Sequence, residues 1–140
     1  MTTIEMIERA KKLANRRFIS PFMEIGGVVC VLETKQGNIY SGINIDTDCG
    51  IGMCAERNTC GTMLTNGESE IVKLLCYKNG ELILPCGVCR EFLMQMNENN
   101  GDMKIMLDES EDNFVLLKNL LPSWWGTQKY QKGKPTKDWK

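Results

Sequence analysis

Apolar and polar positions change period along this chain, and each change marks an element. Residues 2–17 place Ile4, Ile7 and Ala14 at helical spacing, with Met6 and Leu13 nearby, which predicts an amphipathic helix. Thr2 or Thr3 can cap it, and Glu5 and Glu8 lie toward its positive end. Residues 18–25 predict a loop, because Pro21 cannot continue a helix. Residues 27–33 form an apolar, β-branched run, the pattern of a buried strand. Lys35-Gln36-Gly37-Asn38 turns the chain, and 39–45 return as a second strand to complete a hairpin. Residues 46–53, with Gly50 and Gly52, predict an irregular loop. A helix then runs from Cys54 to about Leu64 and stops near Asn66-Gly67. Residues 71–77 predict a strand, Asn79-Gly80 a turn, and 82–84 an approach to Pro85. A helix over 87–96, a strand over 103–107 and a short helix or mixed segment over 115–121 complete the pattern before Pro122. A hairpin followed by alternating strands and helices predicts an α/β fold, a mixed sheet with helices on both faces. No repeat or linker divides the chain. Residues 1–126 therefore read as one domain and 127–140 as a Lys-rich tail containing Lys129, Lys132, Lys134, Lys137 and Lys140.

Composition narrows the chemistry. The net charge is −1, without the basic excess that a nucleic-acid-binding surface shows. The Lys-rich tail reads as a solvated segment. The first twelve residues carry Glu5 and Glu8 and no apolar stretch, so no secretory signal is expected. No apolar run is long enough to span a bilayer. The expected location is the cytoplasm. Seven cysteines are an odd number, and in a reducing compartment they point to metal binding before disulfides. Cys30 and Cys76 lie in apolar runs and read as small core residues. The chain has no histidine, which excludes Ser-His and Cys-His nucleophilic schemes and leaves thiolates or carboxylates as metal ligands.

Three cysteines fall in two short clusters, Cys54-Ala55-Glu56-Arg57 and Pro85-Cys86-Gly87-Val88-Cys89-Arg90. Cys86 and Cys89 are three apart, so their thiols share one face of a helix's first turn. Three protein ligands leave the fourth position of a tetrahedral zinc to water, the catalytic and not the structural arrangement. Glu56, two residues after a ligand, is placed to move that water's protons. A C-x-E followed by P-C-x-x-C is the signature of zinc nucleobase deaminases, in which the Glu is acid and base and not a ligand. On these residues the chain resembles the cytidine deaminase family, in its small three-cysteine form, including blasticidin-S deaminase relatives.

The resemblance implies a three-layer α/β/α fold with a mixed five-stranded sheet, the metal lying at the N-terminal ends of two central helices. It implies one Zn²⁺ per subunit on Cys54, Cys86 and Cys89, with Glu56 catalytic. Arg57, and by position Arg90, would hydrogen-bond the sulfurs and withdraw charge from the metal. Asn44 matches the family's sugar-binding Asn, and Asp46 stands one methylene short of its Glu. Ala55 falls among the substrate contacts. An aromatic is expected against the pyrimidine; the segment around Pro21 puts Ile25 at that place, with Phe22 the other candidate. Leu120-Leu121-Pro122 matches a segment usually followed by an aromatic that reaches a neighbouring active site, a part open to Trp124 or Trp125. The resemblance further implies a homotetramer acting on a free nucleoside, with neither nucleic acid nor membrane as partner. The reaction expected is hydrolytic deamination of cytidine or deoxycytidine in pyrimidine salvage. The alternatives are deamination of blasticidin S or another modified nucleoside and, more remotely, a structural zinc site closed by Cys49.

Overall fold

The computed structural model describes residues 1–131. Helix α1 (Thr3–Leu13) opens with a reciprocal cap: Thr2 Oγ1 accepts from the Glu5 N–H, and the Glu5 carboxylate accepts from the Thr2 N–H. The helix buries Thr3, Met6 and Ala10, while Ile4 and Leu13 are exposed. It also stops four residues before the predicted end. The Asn15 N–H bonds to Gly26 O at 3.0 Å, and β1 (Arg17–Ser20) pairs antiparallel with the start of β2 (Met23–Thr34). The predicted loop over 18–25 is thus two strand segments joined by a turn at Pro21-Phe22. Local sequence favoured a helix or loop there; a long-range partner decided for a strand.

The hairpin of β2 and β3 (Ile39–Thr47) forms as expected. Helix α2 (Ala55–Thr65), β4 (Ile71–Lys78), β5 (Glu81–Ile83) and α3 (Gly87–Met96) follow. Then come β6 (Lys104–Met106), β7 (Phe114–Leu116) and a short α4 (Thr127–Gln131). The segment over 115–121 resolves into the end of β7 and a 3-10 turn over Leu117–Leu120. The sheet is mixed: β4 and β6 pair parallel, and every other pairing is antiparallel. It is five strands wide, in the order β3-β2-β4-β6-β7. Two short strands bring the total to seven, with β1 extending the pairing of β2 and β5 that of β4.

Residues of β2 alternate between two cores, as the period of a strand requires. Val29 and Val31 face α1 and join Met6, Ala10, Leu75 and Met106. Cys30 and Leu32 face the other way, against Cys60 and Met63 of α2 and Leu93 of α3. Helix α1 therefore covers one face of the sheet, and α2 and α3 cover the other. Cys30 and Cys76 sit opposite each other on β2 and β4, fully buried, as small core residues. Of the Lys-rich tail, Lys129 lies in α4, where Tyr130 donates to Met94 O at 2.6 Å. Lys132, Lys134, Lys137 and Lys140 lie outside the described residues.

Candidate active site

Helix α2 packs unusually close to β3. An added Cβ at Gly42 would lie 2.6 Å from Thr59 Oγ1 and 3.1 Å from Thr59 N, so only glycine allows the approach. Asn58 Nδ2 also donates to Ile43 O at 3.0 Å. The loop before α2 is fastened in the same way. Ile45 and Met53 exchange two backbone hydrogen bonds of 2.8 Å, and a Cβ at Gly52 would meet Ile45 O at 2.2 Å. These contacts fix where the chain delivers Cys54.

Cys54 and Cys86 occupy the cap positions of α2 and α3. Their sulfurs face each other beside two helix N-termini. The Sγ atoms of Cys54, Cys86 and Cys89 all lie within 4.8 Å of one another, and Cys54 and Cys86 are 3.8 Å apart. A tetrahedral zinc with bonds of about 2.3 Å needs sulfurs about 3.8 Å apart, so the thiols fit that ion. Cys49 stays outside the cluster. It is exposed, and its sulfur lies 3.3 Å from Thr47 Oγ1.

Electrostatics around the thiols are uneven. Burial opposes ionisation of Cys86, but the Val88 and Cys89 backbone and the neighbouring thiols outweigh it and lower its pKa. Burial, reinforced by the nearby Glu56 carboxylate, pushes Cys89 well up, and Arg57 works against that. The Arg57 guanidinium lies against Cys54 and Cys89, which raise its own pKa, and its Nε is buried without a partner among the described residues. Arg90 takes a different course. Its Nε donates to Pro85 O at 2.7 Å and one terminal nitrogen reaches Leu120 O at 3.5 Å, so it grips the backbone ahead of Cys86.

The thiols open into a cavity of about 470 Å³. Cys54, Ala55, Glu56 and Cys86 line it, with Arg57 beside them. Glu56, only 5 % exposed, stands in the first turn of α2. Asn44 and Asp46 line the opposite wall. Asn44 Oδ1 accepts from Val28 N–H at 2.8 Å, and its Nδ2 donates to Asp46 Oδ2 at 3.1 Å. The structure thus gathers Cys54, Ala55, Glu56, Arg57, Cys86, Asn44 and Asp46 around one space, with Cys89 buried behind it.

The four apolar candidates for substrate contact stand elsewhere in the subunit. Phe22 is exposed at the β1–β2 turn, and Ile25 is buried in β2. Trp124 and Trp125 both donate their indole N–H to the Glu91 carboxylate, at 3.0 and 3.1 Å. None of the four lines the cavity. Strand pairing brings in residues that sequence reasoning passed over. Arg16 and Glu24 form an ion pair at the mouth, and Lys78, Met53, Ile83 and Leu84 complete the walls. Glu24 pairs with Asp46 in the β2–β3 register, a juxtaposition visible in sequence only once 23–25 are read as strand.

Fold and site together define a cytidine-deaminase-like α/β/α domain, with a cluster of three thiols, able to hold a metal ion, at two helix starts. No protein-family model matches the sequence. Cytidine deaminase of Mycoplasma genitalium is 26% identical over 97 residues, covering 67% of this chain and 73% of that protein. Cytidine deaminase 7 of Arabidopsis thaliana is 31% identical over 128 residues, covering 84% of this chain and 39% of that longer protein. Among solved structures, the cytidine deaminase from Bacillus anthracis superposes with a TM-score of 0.69 at 15% identity, covering 93% of this chain and 94% of that one. The chain is a homologue of cytidine deaminases in sequence and shares their fold.

Proposed function

We propose that this protein hydrolytically deaminates cytidine and deoxycytidine, releasing ammonia and leaving uridine or deoxyuridine. The observation that carries this reading is a cluster of three thiols, two of which line the same cavity as Glu56. Homology to cytidine deaminases supports it. Cys54, Cys86 and Cys89 would hold one zinc ion per subunit, whose chemistry is to make a water acidic enough to attack at neutral pH. Arg57, against two of the sulfurs, draws charge from the centre. Arg90 positions Cys86 through the Pro85 carbonyl.

Glu56 carries the protons. It accepts one from the attacking water and passes it to N3 of the pyrimidine as a C–O bond forms at C4. It then takes the remaining proton from the C4 hydroxyl and delivers it to the amino group, so that a C4 carbonyl forms as the C–N bond breaks and ammonia leaves. Asn44 is already fixed by Val28, so its amide and the Asp46 carboxylate are set to receive the sugar hydroxyls. Ala55 lies where the base would rest. The base would pack on aliphatic groups of the subunit's own wall. In a homotetramer, the Trp124-Trp125 segment of one subunit would serve a neighbour's site, and exposed Phe18, Ile19 and Phe22 are apolar surface available for such contacts. Among the described residues no helix is long and apolar enough to cross a membrane. We place the enzyme in the cytoplasm, acting on free nucleosides.

Ultraviolet absorbance of zinc-loaded protein with cytidine, and in parallel with blasticidin S, tests this directly. Loss of the cytosine band with cytidine, abolished in Glu56→Ala with metal retained, is the expected result. Turnover of blasticidin S alone would move the protein to antibiotic resistance. Silence with both, or an active Glu56→Ala enzyme, would refute the mechanism.

A further inference from the structure

The cavity wall carries one cation that the chemistry above does not use. Arg16 is paired with Glu24, and Arg57 lies against the thiols. Lys78 lines the same cavity, is exposed, and has no acidic partner among the described residues. Its cross-strand neighbour is Glu81, but the two form no ion pair.

Register places Lys78 along the wall. Tyr77 pairs with Val29, so one step further along the antiparallel ladder Lys78 falls beside Val28. Val28 is the residue whose N–H holds Asn44 in place. Lys78 therefore borders the part of the cavity assigned to the sugar. An ammonium on a four-carbon stem acts as a mobile point charge and needs no fixed geometry to meet an anion. In a cleft with low-dielectric walls an unpaired charge also raises the local concentration of ligands of opposite sign.

We infer that Lys78 makes this cavity select cytosine nucleosides whose sugar carries an anionic group, a phosphate or a carboxylate, over neutral cytidine. The inference rests on the deaminase reading for the orientation of the ligand, with base toward the thiols and sugar toward Asn44. A phosphate or a sugar carboxylate would meet the same ammonium, and only assay of both separates them.

The test compares cytidine, cytidine 5′-monophosphate and a cytosine nucleoside oxidised to a 5′-carboxylate, on wild type, Lys78→Gln and Lys78→Arg. Expected is a kcat/KM for at least one anionic compound about tenfold above that for cytidine, the scale of one hydrogen bond between charged groups. Lys78→Gln should erase that preference by raising KM for the anion about tenfold more than KM for cytidine, with the larger effect in KM and not in kcat. Lys78→Arg should restore it, and added salt should weaken it. Equal kcat/KM for neutral and anionic compounds in the wild type, or a preference that survives Lys78→Gln, would overturn the inference. Calorimetric binding of the same three compounds needs no turnover. If zinc-loaded protein deaminates nothing yet binds an anionic compound about tenfold more tightly than cytidine, and Lys78→Gln removes the difference, the functional reading fails and Lys78 stands. Equal binding would sink Lys78 on its own.

Discussion

Gly42→Ala is the perturbation that best tests how α2 is held. The new Cβ would sit 2.6 Å from Thr59 Oγ1, 3.1 Å from Thr59 N and 3.3 Å from Thr59 Cα. Thr59 is fully buried and its hydroxyl is already committed to Ala55 O at 2.7 Å, so it cannot swing away freely. Two of the three contacts are to backbone, and relief requires α2 and β3 to separate by a few tenths of an ångström. Overpacking of this kind costs about 1–3 kcal/mol. For a domain of this size that is about 3 °C in Tm per kcal/mol. The assay is urea unfolding of wild type, Gly42→Ala, Thr59→Ala and the double variant, followed by circular dichroism. Removing the hydroxyl relieves the 2.6 Å contact but neither backbone contact. The cost of Gly42→Ala should therefore fall by about 1 kcal/mol in the Thr59→Ala background without vanishing. The N-terminus of α2 carries Cys54 and Glu56, so Gly42→Ala should also weaken metal binding. Unchanged stability of Gly42→Ala, or strict additivity in the double variant, would refute the close-approach argument.

Three further outcomes follow from contacts described above or from the same geometry. Glu111, tied to Lys73 Nζ and to the N–H and hydroxyl of Thr3, has its pKa drawn from an ordinary 4.5 down to about 2. A depressed folded-state pKa gives stability that is present above the unfolded value and lost as pH falls through about 4.5 toward 2. The carboxylate is half exposed, so Glu111→Gln should remove only about 1 kcal/mol at neutral pH, and the wild-type-minus-variant difference should shrink to zero across that acid range. Arg57→Ala should lower metal affinity or turnover about tenfold to a hundredfold, read by competition with a chromogenic chelator. Cys49→Ser should retain a full complement of zinc by atomic emission; loss of the metal would make Cys49 a fourth ligand and the site structural.

The clustering of the three thiols was legible in the chain because its spacing is local. Cys86 and Cys89 are set by helical spacing, Pro85 stops the preceding strand, and Glu56 follows Cys54 within one turn. The bounds of α3 agree with the expectation for the same reason. The cavity walls were not legible, because strand pairing assembles them. Residues 14–17 have helical character taken alone, yet Arg17 is drawn opposite Ile25, and this turns Arg16 toward Glu24 and the cavity mouth. Lys78 falls beside Val28 at the cavity wall only because β4 and β2 align Tyr77 with Val29. Arg90 stands beside a ligand in sequence, but the carbonyls of Pro85 and Leu120 take its donors. The aromatic candidates rest on resemblance alone, and the β1–β2 turn carries Phe22 to the surface while Glu91 holds both tryptophans.

That last contact gives the protein a built-in optical reporter. The chain has three tryptophans, and two of them rest on Glu91, two residues beyond the buried thiol of Cys89 on the same helix. Any event that shifts the start of α3 changes the charge and distance felt by two indole rings whose centroids lie 5.9 Å apart, their planes tilted by 54°. Emission intensity and wavelength should therefore follow the loading and emptying of the thiol centre in real time, without a label and without touching the cavity.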